Sequence, residues 1–360
     1  MDVHFFRKNF LYITLLSSSL FAQKYSPLPP SSIPTQTPQD FSLRIPRDPP
    51  KSFGIKGNFT YWQPIQENME LGIIGNTSDS TNIVDGKELN LNISYASGFQ
   101  VAISTDLPTD HWEMSLEYTW FRNKDHVSKN LDPSNSFISL YPAWEVPSVN
   151  TPTYFSGEEE WKLHMDFLEL SLGRNYLVGE KLALRPFIGL RAPWIRQRLK
   201  VDYIQSVDDP FQNSHIRQSF YSWGVGPRTG VSLDWFLWKE LRLIGQTGAD
   251  IVYTQYRKLL FQQFFTTTNN QLAPASRIII KQNRTNHIRS HIDMSLGIGW
   301  GFFFSNNRRH VDFSLNYGFQ IFFSQNMFRN FVNDQSIAKN IAPNGDLTIQ
   351  GLTATVLADF

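Results

Sequence analysis

Hydrophobic and polar residues alternate with a period of two along most of the chain after Phe53. Leu89, Leu91, Ile93 and Tyr95, then Phe99, Val101 and Ile103, share one phase, and Glu88, Asn90, Asn92, Ser94, Gln100 and Ser104 share the other. Trp112, Met114, Leu116, Tyr118 and Trp120 alternate with Glu113, Ser115, Glu117 and Thr119. Ile292 to Phe302 and Val311 to Phe323 repeat the pattern against His291, Asp293, Ser295, Gly297 and Gly299, and against Asp312, Ser314, Asn316, Gly318 and Gln320. This alternation predicts β-strands with one apolar face. The runs are about two to three times the usual five or six residues of a soluble strand. A tilted strand crossing a bilayer needs about nine to eleven residues in the apolar zone, with aromatic residues at its rims. No edge strand survives unpaired in hydrocarbon, so such strands must close into a barrel, apolar face to lipid and small or polar face to the interior.

The spacing between runs supports this. Short connections (106–110, 176–180, 236–240, 305–308) alternate with long ones (63–87, 122–158, 202–219, 257–286, 324–346) when 88–105 is taken as one strand. Short periplasmic turns and long extracellular loops are the barrel habit, and the count is about ten strands. Strands hidden in 122–158 would raise it to about twelve or more. Residues 1–22 read as an export signal, with Arg7 and Lys8 before an apolar stretch that ends near Ala22. Residues 23–52 are Pro-rich and read as a periplasmic linker. Residues 53–360 form the predicted barrel. Leu352, Ala354, Val356, Ala358 and Phe360 stand at alternate positions of the C-terminus. They resemble the signal by which outer-membrane barrels are recognised for insertion.

Composition narrows the function. Lys and Arg total 33 against 32 Asp and Glu, so the basic excess of a nucleic-acid binder is missing. Charged residues are 18%, aromatics 14%, and there is no Cys, which excludes disulfides, thiolate metal sites and cysteine nucleophiles.

The charged residues on the polar phase are the candidate pore lining: Arg185, Arg191, Arg228, Asp234, Arg242, Asp250, His291, Asp293 and Asp312. Rings of fixed charge in a tube set ion preference, and in a barrel this narrow they can equally pair across the lumen and fill it. Lys162, His164 and Asp166 form a polar face near the loop rim, but a metal site would need a further ligand that the spacing does not place. Gly224, Gly226, Gly297 and Gly299 lie inside strands, where glycine makes room for neighbours. Apolar residues hold the odd phase from Trp161 to Phe167 and the even phase from Leu168 to Leu172, which predicts a β-bulge near Phe167 and Leu168.

Several segments carry a family resemblance. They are Gly98 to Ile103 with Leu107, Pro108 and Trp112; Trp161 to Asp166 with Leu168 to Leu170; Gly173 to Asn175; Leu182 to Arg191 with Trp194 and Ile195; and Trp223 to Arg228. Together they resemble the major-outer-membrane-protein-like pore proteins of Legionella and Chlamydia-related bacteria. The resemblance implies an outer-membrane porin through which small hydrophilic solutes or ions diffuse. The cysteine cross-links of chlamydial members have no counterpart here. A surface adhesin or structural envelope barrel is the alternative. A barrel enzyme is disfavoured, because no His pairs convincingly with a Ser or with acids across adjacent strands. No catalytic residue, metal or cofactor is expected. The expected partners are outer-membrane lipid, the barrel-assembly machinery, small hydrophilic solutes and, as an option, further copies of the chain, with no nucleic acid.

Overall fold

The computed structural model describes residues 53–79, 82–107, 112–132, 138–146, 153–205, 213–238, 240–266, 272–304, 309–331, 340–341 and 345–359. The expected signal, the linker and Phe360 lie outside the described residues. Ten strands form a closed antiparallel barrel: β1 (Phe53–Gln66), β2 (Ala96–Asp106), β3 (Trp112–Asn130), β4 (Ser156–Arg174), β5 (Leu182–Ile204), β6 (Asn213–Phe236), β7 (Leu241–Thr266), β8 (Leu272–Phe304), β9 (Arg309–Phe322) and β10 (Leu347–Asp359). Each pairs with its neighbours in chain order, and β10 closes on β1 from Gly54–Asp359 to Gln66–Leu347. The short strand Tyr176–Val178 adds to the lower end of β5. Leu352, Ala354, Val356 and Ala358 all fall on the outward phase of β10, with Leu352 and Val356 exposed.

Around the lower part of the wall the outward residues are apolar and exposed, as at Met114 and Leu116 on β3, Leu168 and Leu170 on β4, Ile188 and Leu190 on β5, Ile251 and Tyr253 on β7, and Leu296 and Ile298 on β8. Tryptophans mark both rims. Trp120, Trp194 and Trp223 face outward at the upper rim, and Trp235, Trp238 and Trp300 are exposed at the lower. On β3 the span from Trp112 to Trp120 matches the roughly nine to eleven residues that a tilted strand needs to cross hydrocarbon.

Above the upper rim the polarity reverses while the phase does not. On β4 the odd residues point inward throughout: Trp161, Leu163, Met165 and Phe167 are buried above, and Glu169, Ser171 and Gly173 continue the same face below. The even residues point outward: Leu168 and Leu170 toward lipid, then Asp166, His164 and Lys162 on the wall beyond it. The bulge expected near Phe167 is therefore absent. Pairing runs without a shift through Phe167–Thr119 and Leu168–Tyr118 on one side, and through Phe167–Pro193 and Leu168–Ala192 on the other. The change of apolar phase marks the end of the bilayer zone, where water moves outside and the core moves inside.

A bulge does occur on β7. Ser219 pairs with Leu260 and Tyr221 with Arg257, which leaves one extra residue on β7. Lys258 there adopts a φ of 56°. Below it Val252, Thr254 and Tyr256 face inward; above it Leu259, Phe261 and Gln263 do.

The same inversion corrects the long connections. Segments expected as loops are strand for much of their length: β3 runs to Asn130, β5 to Ile204, and β7 and β8 reach Thr266 and back from Leu272. The run 88–105 is not one strand either. Asn82–Asn90 pairs with Glu70–Asp79, and the barrel resumes only at Ala96. Ile138–Pro142 is a strand within the 122–158 stretch, but it joins Glu70–Asp79 in that small sheet and leaves the barrel at ten.

These segments turn into the upper barrel. Leu71, Leu140, Trp144, Tyr154 and Phe328 are buried in one cluster with the inward Trp161, Leu163, Leu199, Val201, Tyr203, Phe220 and Phe261. Tyr203 donates its hydroxyl to the Leu71 carbonyl, and Val146 N–H donates to Gln263 Oε1 at 3.0 Å. Each fully buried Leu or Phe contributes about 1.5–3 kcal/mol relative to exposure, so the interior above the bilayer zone is a packed core.

Leu296 and Leu315 face lipid, 60% and 47% exposed. Replacing either with Arg is expected to cost about 2–4 kcal/mol near the midplane. A denaturant titration of refolding into lipid vesicles measures this; a variant as stable as the parent would place these residues away from lipid.

Candidate functional site

The inward face at the bilayer level carries charges of both signs, and the register brings them together. Arg191 on β5 and Arg228 on β6 meet three carboxylates: Glu169 on β4, Asp250 on β7 and Asp293 on β8. Arg191 lies 2.5 Å from Glu169 Oε1 and 2.9 Å from Asp250 Oδ2. Arg228 lies 2.6 Å from Asp293 Oδ1, 3.1 Å from Asp250 Oδ2 and 3.3 Å from Glu169 Oε2. His291 Nδ1 is 2.8 Å from Asp250 Oδ2. The cluster is buried and roofed by aromatics. The Arg191 guanidinium sits 5.0 Å from the Phe167 ring centre, and Phe167 stacks on Phe322 at 5.5 Å.

The remaining candidates form smaller sets nearer the lower rim. Arg242 donates from Nε to Asp234 Oδ1 at 2.9 Å and from Nη1 to Asp312 Oδ2 at 2.6 Å. Arg185 pairs with Glu113 at 3.2 Å. All nine predicted lining residues thus face the interior: Arg191, Arg228, Asp250, His291 and Asp293 form one group, Arg242 joins Asp234 and Asp312 in a second, and Arg185 pairs with Glu113. Glycine supplies the room. A Cβ on Gly248 would stand 2.7 Å from Arg228 Nη2, and one on Gly173 would stand 2.7 Å from the Arg185 guanidinium carbon.

Sequence reasoning missed Glu169, Glu113 and the pair Lys56–Glu117, whose charges lie 2.5 Å apart. A usable signal existed: Glu169 stands between Leu168 and Leu170, and Glu113 and Glu117 alternate with Met114 and Leu116. It also missed histidines that meet acids across adjacent strands. His291 on β8 meets Asp250 on β7, and His215 Nδ1 on β6 lies 2.6 Å from Asp202 Oδ1 on β5. Arginine shares both carboxylates, Arg191 and Arg228 at Asp250 and Arg217 at Asp202. Lys162, His164 and Asp166 lie on the outer wall, where Asp166 accepts from Arg122 at 2.8 and 2.9 Å and from the Tyr118 hydroxyl at 2.7 Å.

Immediately above the ion cluster the lumen is filled. The space among Arg191, Ser222, Asp250, His291, Phe322 and Gln325 is about 20 Å³, room for about one water molecule. Higher still, Glu145 of the inturned segment accepts from the Tyr154 hydroxyl at 2.9 Å and from Gln263 Nε2 at 3.0 Å. Burial pushes its carboxyl up to about 7, although these hydrogen bonds act in the other direction.

The family model described as Legionella pneumophila major outer membrane protein precursor matches residues 45–359. The chain belongs to this family. Membership and the closed barrel place it in the outer membrane. Among solved structures it is similar to the outer membrane protease OmpT from Escherichia coli, at 10% identity over 86% of this chain and 97% of that one, with a TM-score of 0.41. A Pseudomonas aeruginosa FadL homologue shares 10% identity over 86% and 90%, with a TM-score of 0.30. A major outer membrane protein from Thermus thermophilus shares 12% over 66% and 99%, with a TM-score of 0.24. No curated protein matches the sequence.

In this family member, removing one carboxylate from the buried cluster leaves two guanidinium groups short of a partner. Asp250→Ala is expected to destabilise the barrel by about 3–5 kcal/mol, read from urea unfolding in vesicles. A loss within error of zero would mean that Glu169 and Asp293 alone suffice to neutralise the arginines.

Glu145 gives a pH prediction for the inturned segment. Its folded value lies above the ordinary 4.5, so the folded state holds a proton that the unfolded state releases, and stability falls as pH rises from about 4.5 to about 7. The loss is about 3 kcal/mol at full ionisation. Protection from hydrogen exchange at the Leu140 and Tyr154 amides, which bond each other's carbonyls, taken relative to the intrinsic base-catalysed rate at each pH, should fall across this window in the parent. It should stay level in Glu145→Gln; an equal response in both would assign the effect to another group.

Proposed function

We propose that the protein is an outer-membrane pore for small hydrophilic solutes and ions, closed in this conformation by its inturned segments, and a passive conduit without catalytic groups. One observation carries the reading: the interior of the bilayer zone is walled by charged residues of both signs, from Lys56, Glu113 and Glu117 to Arg242 and Asp312, behind an apolar exterior. A polar, charged wall of this kind is what an ion path requires. Arg185, Arg191 and Arg228 are offset by the carboxylates around them, so selectivity is weak.

A structural or adhesive envelope barrel is the second reading, favoured by the packed core above the ion cluster and by the pairing of the charges within it. The two readings part in planar-bilayer recordings. As a pore, the refolded parent conducts in small steps. A variant whose segment 139–145 is replaced by glycine and serine then conducts in larger ones. Arg185→Gln in that background moves the reversal potential in a salt gradient toward cations. Silence from both the parent and the segment variant would overturn the pore reading and leave the structural barrel.

A further inference from the structure

The outer wall just above the lipid belt carries a row rich in cationic side chains. Arg122 pairs in register with His164, His164 with Arg196, Arg196 with Tyr221, Tyr221 with Arg257, and Arg257 with Arg284. One step higher, Lys124 pairs with Lys162 and Lys162 with Arg198. Directly paired positions on one face lie about 5 Å apart, so cations stand side by side at three strand junctions, Lys124–Lys162, Lys162–Arg198 and Arg257–Arg284, and Tyr221 separates Arg196 from Arg257. Among the described residues, carboxylates ease this at one end of the row. Arg122 binds Asp166 at 2.8 Å, and Lys124 and Lys162 share Glu160 at 2.9 and 2.8 Å.

Arg196, Arg198, Arg257 and Arg284 are exposed and have no carboxylate partner among the described residues. Two of them are held in place by aromatic faces. Arg196 lies 5.2 Å over the Tyr221 ring and Arg257 lies 5.5 Å over Trp223. Such stacking orients the guanidinium and leaves N–H groups free to donate. On the opposite arc the outward residues at the rim are uncharged: Gln63 pairs with Gln350, and Gln350 with Phe319. The cationic band is therefore confined to β3–β8.

Its depth identifies the partner. Trp120, Trp194 and Trp223 stand in the register row directly beneath it, with Trp194 paired to Trp223, and Trp rings settle at headgroup level. Below them, an apolar hollow of about 770 Å³ opens on the outside of the same strands, between Leu170, Ile188, Leu190, Pro227, Ala249 and Ile251. Leu190 and Ile251 lie six positions below Arg196 and Arg257, about 20 Å along a strand, the reach of an extended acyl chain. The long strand extensions mark this side as extracellular. We propose that Arg196, Arg198, Arg257 and Arg284 bind the phosphate groups of a phosphorylated glycolipid in the extracellular leaflet, whose acyl chains lie against the apolar wall beneath. Guanidinium groups match phosphate oxygens in paired hydrogen bonds, and several fixed arginines select a headgroup with more than one phosphate over a zwitterionic one.

The test uses the full chain refolded in nanodiscs of phosphatidylcholine, with diphosphoryl lipid A as the probe and native mass spectrometry as the readout. The parent should retain diphosphoryl lipid A, and should hold enzymatically dephosphorylated lipid A about tenfold or more less tightly. The combined variant Arg196→Ser, Arg198→Ser, Arg257→Ser and Arg284→Ser should lose that difference, while the four Arg→Lys replacements should keep part of it. Heat-modifiable gel mobility identifies folded barrels in each sample, and Arg284→Ser with Arg257→Ser alone serves if the fourfold variant does not fold. Equal retention of both lipids by the parent, or undiminished retention by the folded Ser variant, would overturn the proposal. Full displacement by millimolar inorganic phosphate would overturn it too, and reassign the band to a free anion.

Discussion

A strand in a closed barrel cannot exchange its faces. Every backbone group is bonded to a neighbour, so which residues look inward is fixed from one end to the other unless an extra residue is inserted. The bilayer covers only part of that length. Beyond its surface the outward residues meet water, and the inward ones can pack against chain that folds in from above. The residue types on the two faces must therefore trade places at the rim, and β4 does this between Leu168 and Asp166 outside and between Glu169 and Phe167 inside. The core, the ion cluster and the outer cationic band all follow from that one exchange.

Within the bilayer zone the inward charges sit beneath an apolar roof and have little access to water from above. Taking such ions out of water costs several kcal/mol each, which close pairing offsets only when the geometry is good and the hydrogen bonds are many. The arrangement around Asp250 meets that condition only in part: Oδ2 is shared among Arg191, Arg228 and His291, while Oδ1 and Arg191 Nε are buried with no hydrogen-bond partner among the described residues. Four different strand junctions contribute, so the cluster also ties the register of β4 to β8 together at the middle of the wall.

Much of the lower barrel was legible. Where lipid lies outside and small polar groups lie inside, as along Met114–Trp120 or Ile292–Trp300, the alternation shows both the strand and its faces. Phase alone also put Arg191, Arg228 and Asp250 on the interior. Their partners were not legible, because which charges meet depends on the register of neighbouring strands, and Glu169 became visible only when β4 lay beside β5. The upper barrel misled the reading for a physical reason. Apolar residues such as Leu163 and Met165 there mark the interior, and the same pattern read as lipid-facing demanded a bulge that β4 does not have. The true bulge, at Lys258, carries a side chain where glycine would be expected and gave no sign in the sequence.

The barrel wall is uneven in height. β3 to β8 run 19 to 33 residues, whereas β1, β2, β9 and β10 run 11 to 14. The connections from β1 to β2 and from β9 to β10 leave from the low side, and they bring Leu71 and Phe328 into the core. Surface loops of barrels ordinarily accept substitution freely. Here the usual relation is reversed: parts of the loops are bound by packing, and the outward positions of the tall strands are free of it. Immune pressure on such a protein would accordingly leave its record of accepted change on the sides of the projecting wall above the cationic band, with Leu71, Leu140, Trp144 and Phe328 held constant among its relatives.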